Sequence, residues 1–128
     1  MSSGLELYDS RVSHLELFEG IATLHFSHAY IHKTKGRPGK GSGTGWSQEA
    51  QLILFESTVS EPLPPLPNMI SDGYLEVGGI KHEVIPLPFK RKVAAKLWLQ
   101  FVDGSQVMIF GSQPVIELLG KPTYLEDY

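Results

Sequence analysis

Lys96-Leu-Trp-Leu-Gln-Phe-Val-Asp-Gly-Ser-Gln-Val-Met-Ile-Phe110 is the stretch whose reading decides the fold class. Two alternating runs flank Asp103-Gly104, a pair suited to hairpin closure because glycine accepts φ > 0 and such turns match the twist of paired strands. Closure by two residues sets Val102 opposite Ser105 and gives opposed residues a common face. Leu97, Leu99, Phe101, Met108 and Phe110 then form one wholly apolar side. Trp98, Val107 and Ile109 fall on the other, beside Lys96 and Gln100. Apolar residues on both faces are expected of central strands or of an interface. Trp98, Val107 and Ile109 are therefore the surface that a homodimer would cover.

The same pattern recurs twice. Tyr74–Val77, Gly78-Gly79 and Ile80–Val84 place Leu75, Val77, Ile80, His82 and Val84 on one face, with Glu76 opposite Lys81 on the wet one. An opposite-charge pair across a ladder supports that register by about 0.2–1 kcal/mol. His14–Phe18, Glu19-Gly20 and Ile21–Phe26 give a core face of Leu15, Leu17, Ala22, Leu24 and Phe26. His14, Glu16, Phe18, Ile21, Thr23 and His25 lie opposite, and the Glu-Gly turn is a weaker signal than Asp-Gly.

Residues 49–56 read as a buried strand, and 114–119 as either a terminal strand or one helical turn. Residues 57–69 are a Pro-rich connection, extended because proline fixes φ and biases its predecessor. Pro62/Pro65 and Pro64/Pro67 have the spacing of a polyproline docking peptide, but the flanking charges are acidic, and a stiff link between layers is the simpler reading. The chain is thus one all-β domain over residues 1–128. The fold class is a small antiparallel β-sandwich or partly open β-barrel, about seven or eight strands built from three hairpins, with little helix.

The 128 residues, 41% hydrophobic and 20% charged, suit one globular domain. A net charge of −3 builds in no general affinity for nucleic acid or anionic membrane, so either role would need a local patch. The absence of cysteine excludes disulfides, thiolate nucleophiles and Cys-ligated zinc, and fits a reducing compartment. With no signal-peptide pattern and no apolar run approaching the ~20 residues that span a bilayer, the expected setting is cytoplasmic.

One segment departs from this plan. Residues 33–47, following His32, hold Gly36, Gly39, Gly41, Gly43 and Gly45 with Lys33, Lys35, Arg37 and Lys40. Its glycines and Pro38 predict a long basic loop. A phosphate-loop reading fails on spacing: Thr34 stands where the first glycine belongs, and Gly41 follows the lysine where Ser or Thr is needed. The dinucleotide pattern fails likewise at Trp46. What remains is a cationic segment whose backbone N–H groups could cradle an anion. Continuing the strand parity from Phe26 places His28, Tyr30 and His32 beside it.

The expected ligand-binding set is therefore His28, Tyr30, His32, Lys33, Lys35, Arg37, Lys40 and Trp46, for an anionic small ligand or an acidic protein. His28 and His32 lie ~13 Å apart on a strand, too far to share a metal. His14 and His25 sit opposite each other with Glu16 as the one evident third ligand; no metal and no cofactor is assigned. Neither a Gly-x-Ser-x-Gly elbow nor a His-Glu-x-x-His helix is present, so no catalytic residue is assigned. The functional expectation is a binding or interaction module. The alternatives are a small hydrolase or isomerase with histidine as general base, and a structural subunit of an oligomer.

Overall fold

A computed structural model of the chain describes residues 2–35 and 42–128, and every regular element in it is a strand. In chain order these are β1 (Ser2–Phe18), β2 (Ile21–Thr34), β3 (Gly43–Val59), β4 (Asn68–Val77), β5 (Ile80–His82), β6 (Val84–Leu87), β7 (Ala94–Phe101) and β8 (Gln106–Asp127). They form one antiparallel sheet in the order β5-β4-β7-β8-β3-β2-β1-β6. A further pairing of β1 with β4, Arg11 against Met69 and Val12 against Asn68, closes six of the strands into a ring of hydrogen bonds. Closure pairs the long strands on both sides and leaves the short strands β5 and β6 as the edges of the sheet. The ring is not a regular barrel: β5 and β6 extend it where β4 and β1 separate. The all-β expectation holds.

Alternation fills the interior. Leu5 and Val12 of β1, Leu24 and Phe26 of β2, Leu52 and Leu54 of β3, Ile70 and Leu75 of β4, and Leu97, Leu99 and Phe101 of β7 are all buried. Each such side chain contributes about 1.5–3 kcal/mol on leaving water. Phe89, between β6 and β7, joins the same core, and its carbonyl accepts the Ile116 N–H of β8. The 114–119 run is part of β8, a strand rather than a helical turn.

Two hairpins close as the sequence indicates. Phe18 pairs with Ile21 across Glu19 and Gly20, both at positive φ, and Val77 pairs with Ile80 across Gly78 and Gly79, also both positive. Their outer ends are wetter than alternation implies. Leu17 and Ile80 are exposed, and Val84 leaves the second hairpin to pair with β1. Glu76 stands opposite Lys81, but its carboxylate contacts Lys96 at 3.8 Å, while Lys81 lies over the Tyr74 ring.

The third hairpin differs by one residue. Gln100 pairs with Gln106 and Leu99 with Val107, across a loop of Val102, Asp103 and Gly104. The Gly104 N–H donates to the Phe101 carbonyl, the Phe101 N–H donates to the Ser105 carbonyl, and Gly104 alone takes a positive φ, 87°. The cause is Asp103, whose Oδ1 accepts the Ser105 N–H at 3.0 Å and the Ser105 hydroxyl at 2.6 Å. This Asx contact favours a type I turn ending in a left-handed glycine over the two-residue closure. A one-residue slip exchanges the faces of a strand. Val107 and Ile109 therefore point into the core, and Met108 and Phe110 point out. The dimer surface expected from Trp98, Val107 and Ile109 is corrected accordingly: two of its three members are buried within the chain.

The Pro-rich connection folds back onto this hairpin. The Ser60 N–H donates to the Met108 carbonyl, and the Ser60 hydroxyl accepts the Met108 N–H. No helix of the described residues is long and apolar enough to cross a membrane.

A Cβ on Gly104 would meet no atom within 4 Å, so a substitution there acts on the backbone alone. Gly104→Val should cost roughly 1–3 kcal/mol, because a β-branched residue resists φ near 87°. Urea denaturation should show a lowered midpoint with an unchanged slope; an unchanged midpoint would contradict the turn.

Candidate functional site

The expected site residues sit where β2 and β3 run toward residues 35–42. Arg37 and Lys40 lie outside the described residues; the other six are placed. The first correction concerns the loop. Residues 33–34 and 43–47 are ladder strand, with Lys33 opposite Thr44, His32 opposite Gly45 and Ile31 opposite Trp46. The physical reason is that neither strand glycine has room for a side chain. A Cβ on Gly45 would collide with the Tyr30 hydroxyl, and one on Gly43 would collide with the Lys33 carbonyl and the Thr34 methyl, with the Tyr128 hydroxyl 2.9 Å away. Glycine is used here for close packing on the sheet rather than for a turn.

The second correction concerns parity. A bulge between Phe26 and Ala29 inserts one residue into β2, so Ala29 and Ile31 take over the buried face. His28, Tyr30 and His32 do not continue the core face of Phe26. His28 is exposed, its Nδ1 3.1 Å from the Ser27 hydroxyl. Tyr30 and His32 lie on the outer face, while Lys33 and Trp46 lie on the inner one with Ile31. The expected set is divided between the two sides of the sheet.

On the outer face, His32 is only 8% exposed because Glu6 and Tyr128 cover it. Its Nε2 lies 3.1 Å from Glu6 Oε1 and its Nδ1 2.7 Å from the Tyr128 hydroxyl. A carboxylate can only accept, so Nε2 carries the proton, and in the neutral ring Nδ1 accepts from the Tyr128 O–H. Tyr30 runs across Gly45 to donate to Glu126 at 2.6 Å. Burial, with the Glu126 hydrogen bond next, raises the Tyr30 hydroxyl well above the ordinary phenol range. Burial and the nearby Glu6 charge also raise Tyr128. Both phenols stay protonated at neutral pH and act as hydrogen-bond donors. Glu6, Glu126 and Tyr128 carry no mark of a site in the sequence; alternation gives no signal for contacts this distant along the chain.

On the inner face, the Lys33 ammonium sits 4.6 Å above the Trp46 ring, a cation–π contact. Trp46 donates its Nε1–H to the Thr44 hydroxyl and meets Tyr124 edge-on. Beside this lies an open cleft lined by Lys33, Thr34, Lys35, Ser42, Gly43, Thr44, Asp127 and Tyr128. Two lysines and several hydroxyl residues border one space there, with Asp127 the one side-chain carboxylate among them. Such a cleft can hold an anionic group by charge and hydrogen bonds. His82, elsewhere in the sheet, is held below its ordinary pKa of 6.5 by burial and then by Arg91, and it packs on Phe89.

Gly45→Ala should displace Tyr30 from Glu126 and lower stability measurably, whereas Gly45→Ala in a Tyr30→Ala background should cost much less. Thermal melts of the four proteins give the coupling directly, expected at about 0.5–3 kcal/mol for groups in contact. Additive effects would show that the glycine is not there for Tyr30.

Comparison with known proteins found no matching family model, no similar curated protein and no similar solved structure, so the site's own residues carry the functional reading.

Proposed function

We propose that the protein is a binding module that takes the anionic group of a small ligand, or of an acidic protein segment, in the cleft between Lys33, Lys35, Ser42 and Thr44. The observation that carries this reading is the convergence of the two lysines and those hydroxyls on one open space, at the end of a paired β2–β3 ladder. Lys33 and Thr44 are held in place by the ladder, with Lys35 and Ser42 immediately beyond the strand ends, so part of the site is ordered in advance. The rest of the chain carries a net negative charge, which makes this local cationic surface the natural place for an anion. His32 and Tyr30, expected in the binding set, serve instead as the buttress behind the cleft: their polar atoms are already engaged by Glu6, Tyr128 and Glu126. That engagement also weighs against an enzyme using His32 as general base, since both its ring nitrogens are committed. A cysteine-free chain accords with a cytoplasmic setting.

The test is a titration with inorganic phosphate and with citrate at low salt, followed by the backbone amide resonances of Lys35, Ser42 and Thr44. Saturable shifts confined to those residues are expected, and they should weaken as salt screens exposed charges over a Debye length of ~10 Å at 0.1 M. Lys33→Met/Lys35→Met keeps the aliphatic stems, so binding should be abolished while the melting temperature barely moves. Binding that survives the double substitution would place the site elsewhere, and stability lost in step with binding would make these lysines structural.

A further inference from the structure

At the other end of β2, His14 and His25 are direct cross-strand partners, and Glu16 follows His14 by two residues on the same face. The two imidazoles stack with centroids 4.0 Å apart and planes within 14°. The Glu16 Oε1 lies 3.4 Å from His14 Nε2 and 3.6 Å from His25 Nε2, and the three residues each offer a ligand atom within 4.8 Å of the others'. Zinc–ligand bonds of about 2.0–2.1 Å set tetrahedral ligand–ligand edges near 3.3–3.4 Å, so the two carboxylate–imidazole distances nearly match.

The surroundings of the cluster point the same way. The Ser13 hydroxyl lies 3.2 Å from the His25 carbonyl and 3.0 Å from His14 Nδ1, so it sits behind both rings. His25 Nε2, aimed at the Glu16 carboxylate, is buried without a hydrogen-bond partner among the described residues. A buried ring nitrogen without a partner is costly, and an ion held between it and the carboxylate would satisfy it.

We propose that His14 Nε2, His25 Nε2 and the Glu16 carboxylate bind a divalent transition-metal ion of the zinc class, with water in the fourth position. Two imidazoles and one carboxylate suit such an ion. The Ser13 hydroxyl beside His14 Nδ1 stands where an outer-sphere partner of that ring would. In-plane lone pairs of parallel rings cannot meet at one ion, so binding splays the stack. His14 is the more exposed of the two rings, 53% against 23%, so it is the one that moves. This site shares no residue with the anion cleft, and the two proposals stand or fall separately.

The metal-stripped full chain is titrated at neutral pH with Zn²⁺ by calorimetry and with Co²⁺ by visible absorption. One ion per chain is expected, with the strong visible bands of four-coordinate Co²⁺ and selective shifts of the His14 and His25 ring resonances. His14→Gln and Glu16→Gln each change an exposed residue and should weaken binding by about tenfold or more, as loss of a ligand does. Melting of the metal-free variants should match the wild type, so folding and binding are read apart. The proposal is overturned if neither ion binds below millimolar concentration, if binding is unchanged in His14→Gln, or if the responding rings are His28, His32 or His82. Those last outcomes would leave a proton as the occupant between His14 and Glu16.

Discussion

The hydroxyl of Ser10 holds the corner on which the ring depends. Between Glu6 and Arg11, β1 leaves its ladder with β2, passing through Asp9 at a positive φ of 67°. Several residues of β1 bow out there against a short span of β2, and the Tyr30 N–H would lose its place in the ladder. Ser10, fully buried, accepts that N–H at 2.9 Å and donates its own hydrogen to the Glu6 carbonyl. A buried backbone donor left unpaired costs about 1–3 kcal/mol, so one small side chain keeps a sharp bend compatible with burial. The bend divides β1 into two working halves. Residues before it pair with β6, and Arg11 and Val12 after it pair with β4 and close the ring.

The corner also arranges the chemistry. The bulge in β2 opposite it places Ala29 and Ile31 inside and turns Tyr30 and His32 outward, where Glu6 and Tyr128 meet His32 and Glu126 meets Tyr30. This network consumes its own polar atoms and keeps its phenols protonated. Rigid at its back, the strand carries Lys33 to the cleft at one end, with Lys35 just beyond it, while its other end carries His25 to His14 and Glu16. One long bent strand therefore serves two chemically distinct surfaces, one cationic and one rich in metal-type donors.

Much of the fold is legible in the sequence because period-2 alternation and glycine turns are local signals. Phe18/Ile21, Val77/Ile80 and His14/His25 are paired as the spacing implies. The departures share a cause: each turns on a contact that alternation does not encode. Asp103 captures Ser105 and adds one residue to the strongest turn signal, which puts Val107 and Ile109 in the core in place of Met108 and Phe110. The β2 bulge is hidden because Phe26, His28, Tyr30 and His32 alternate as convincingly as the true series. Gly43 and Gly45 resemble loop residues because the Lys33 carbonyl, Thr34 and Tyr30 reach them only across the ladder. In the candidate site, the lysines and Trp46 can be read from composition, whereas Glu6, Glu126 and Tyr128 need the tertiary structure to bring them in.

Amide hydrogen exchange at Tyr30 tests the Ser10 corner most directly. Ser10→Ala leaves the backbone unchanged in principle but removes the acceptor of the Tyr30 N–H. The predicted result is exchange at Tyr30 faster by about tenfold or more than at Leu24 or Leu52 in the same variant, with global stability lower by roughly 1–3 kcal/mol. A Tyr30 amide as protected in Ser10→Ala as in the wild type, with stability unchanged, would contradict the claim that this hydroxyl holds the corner.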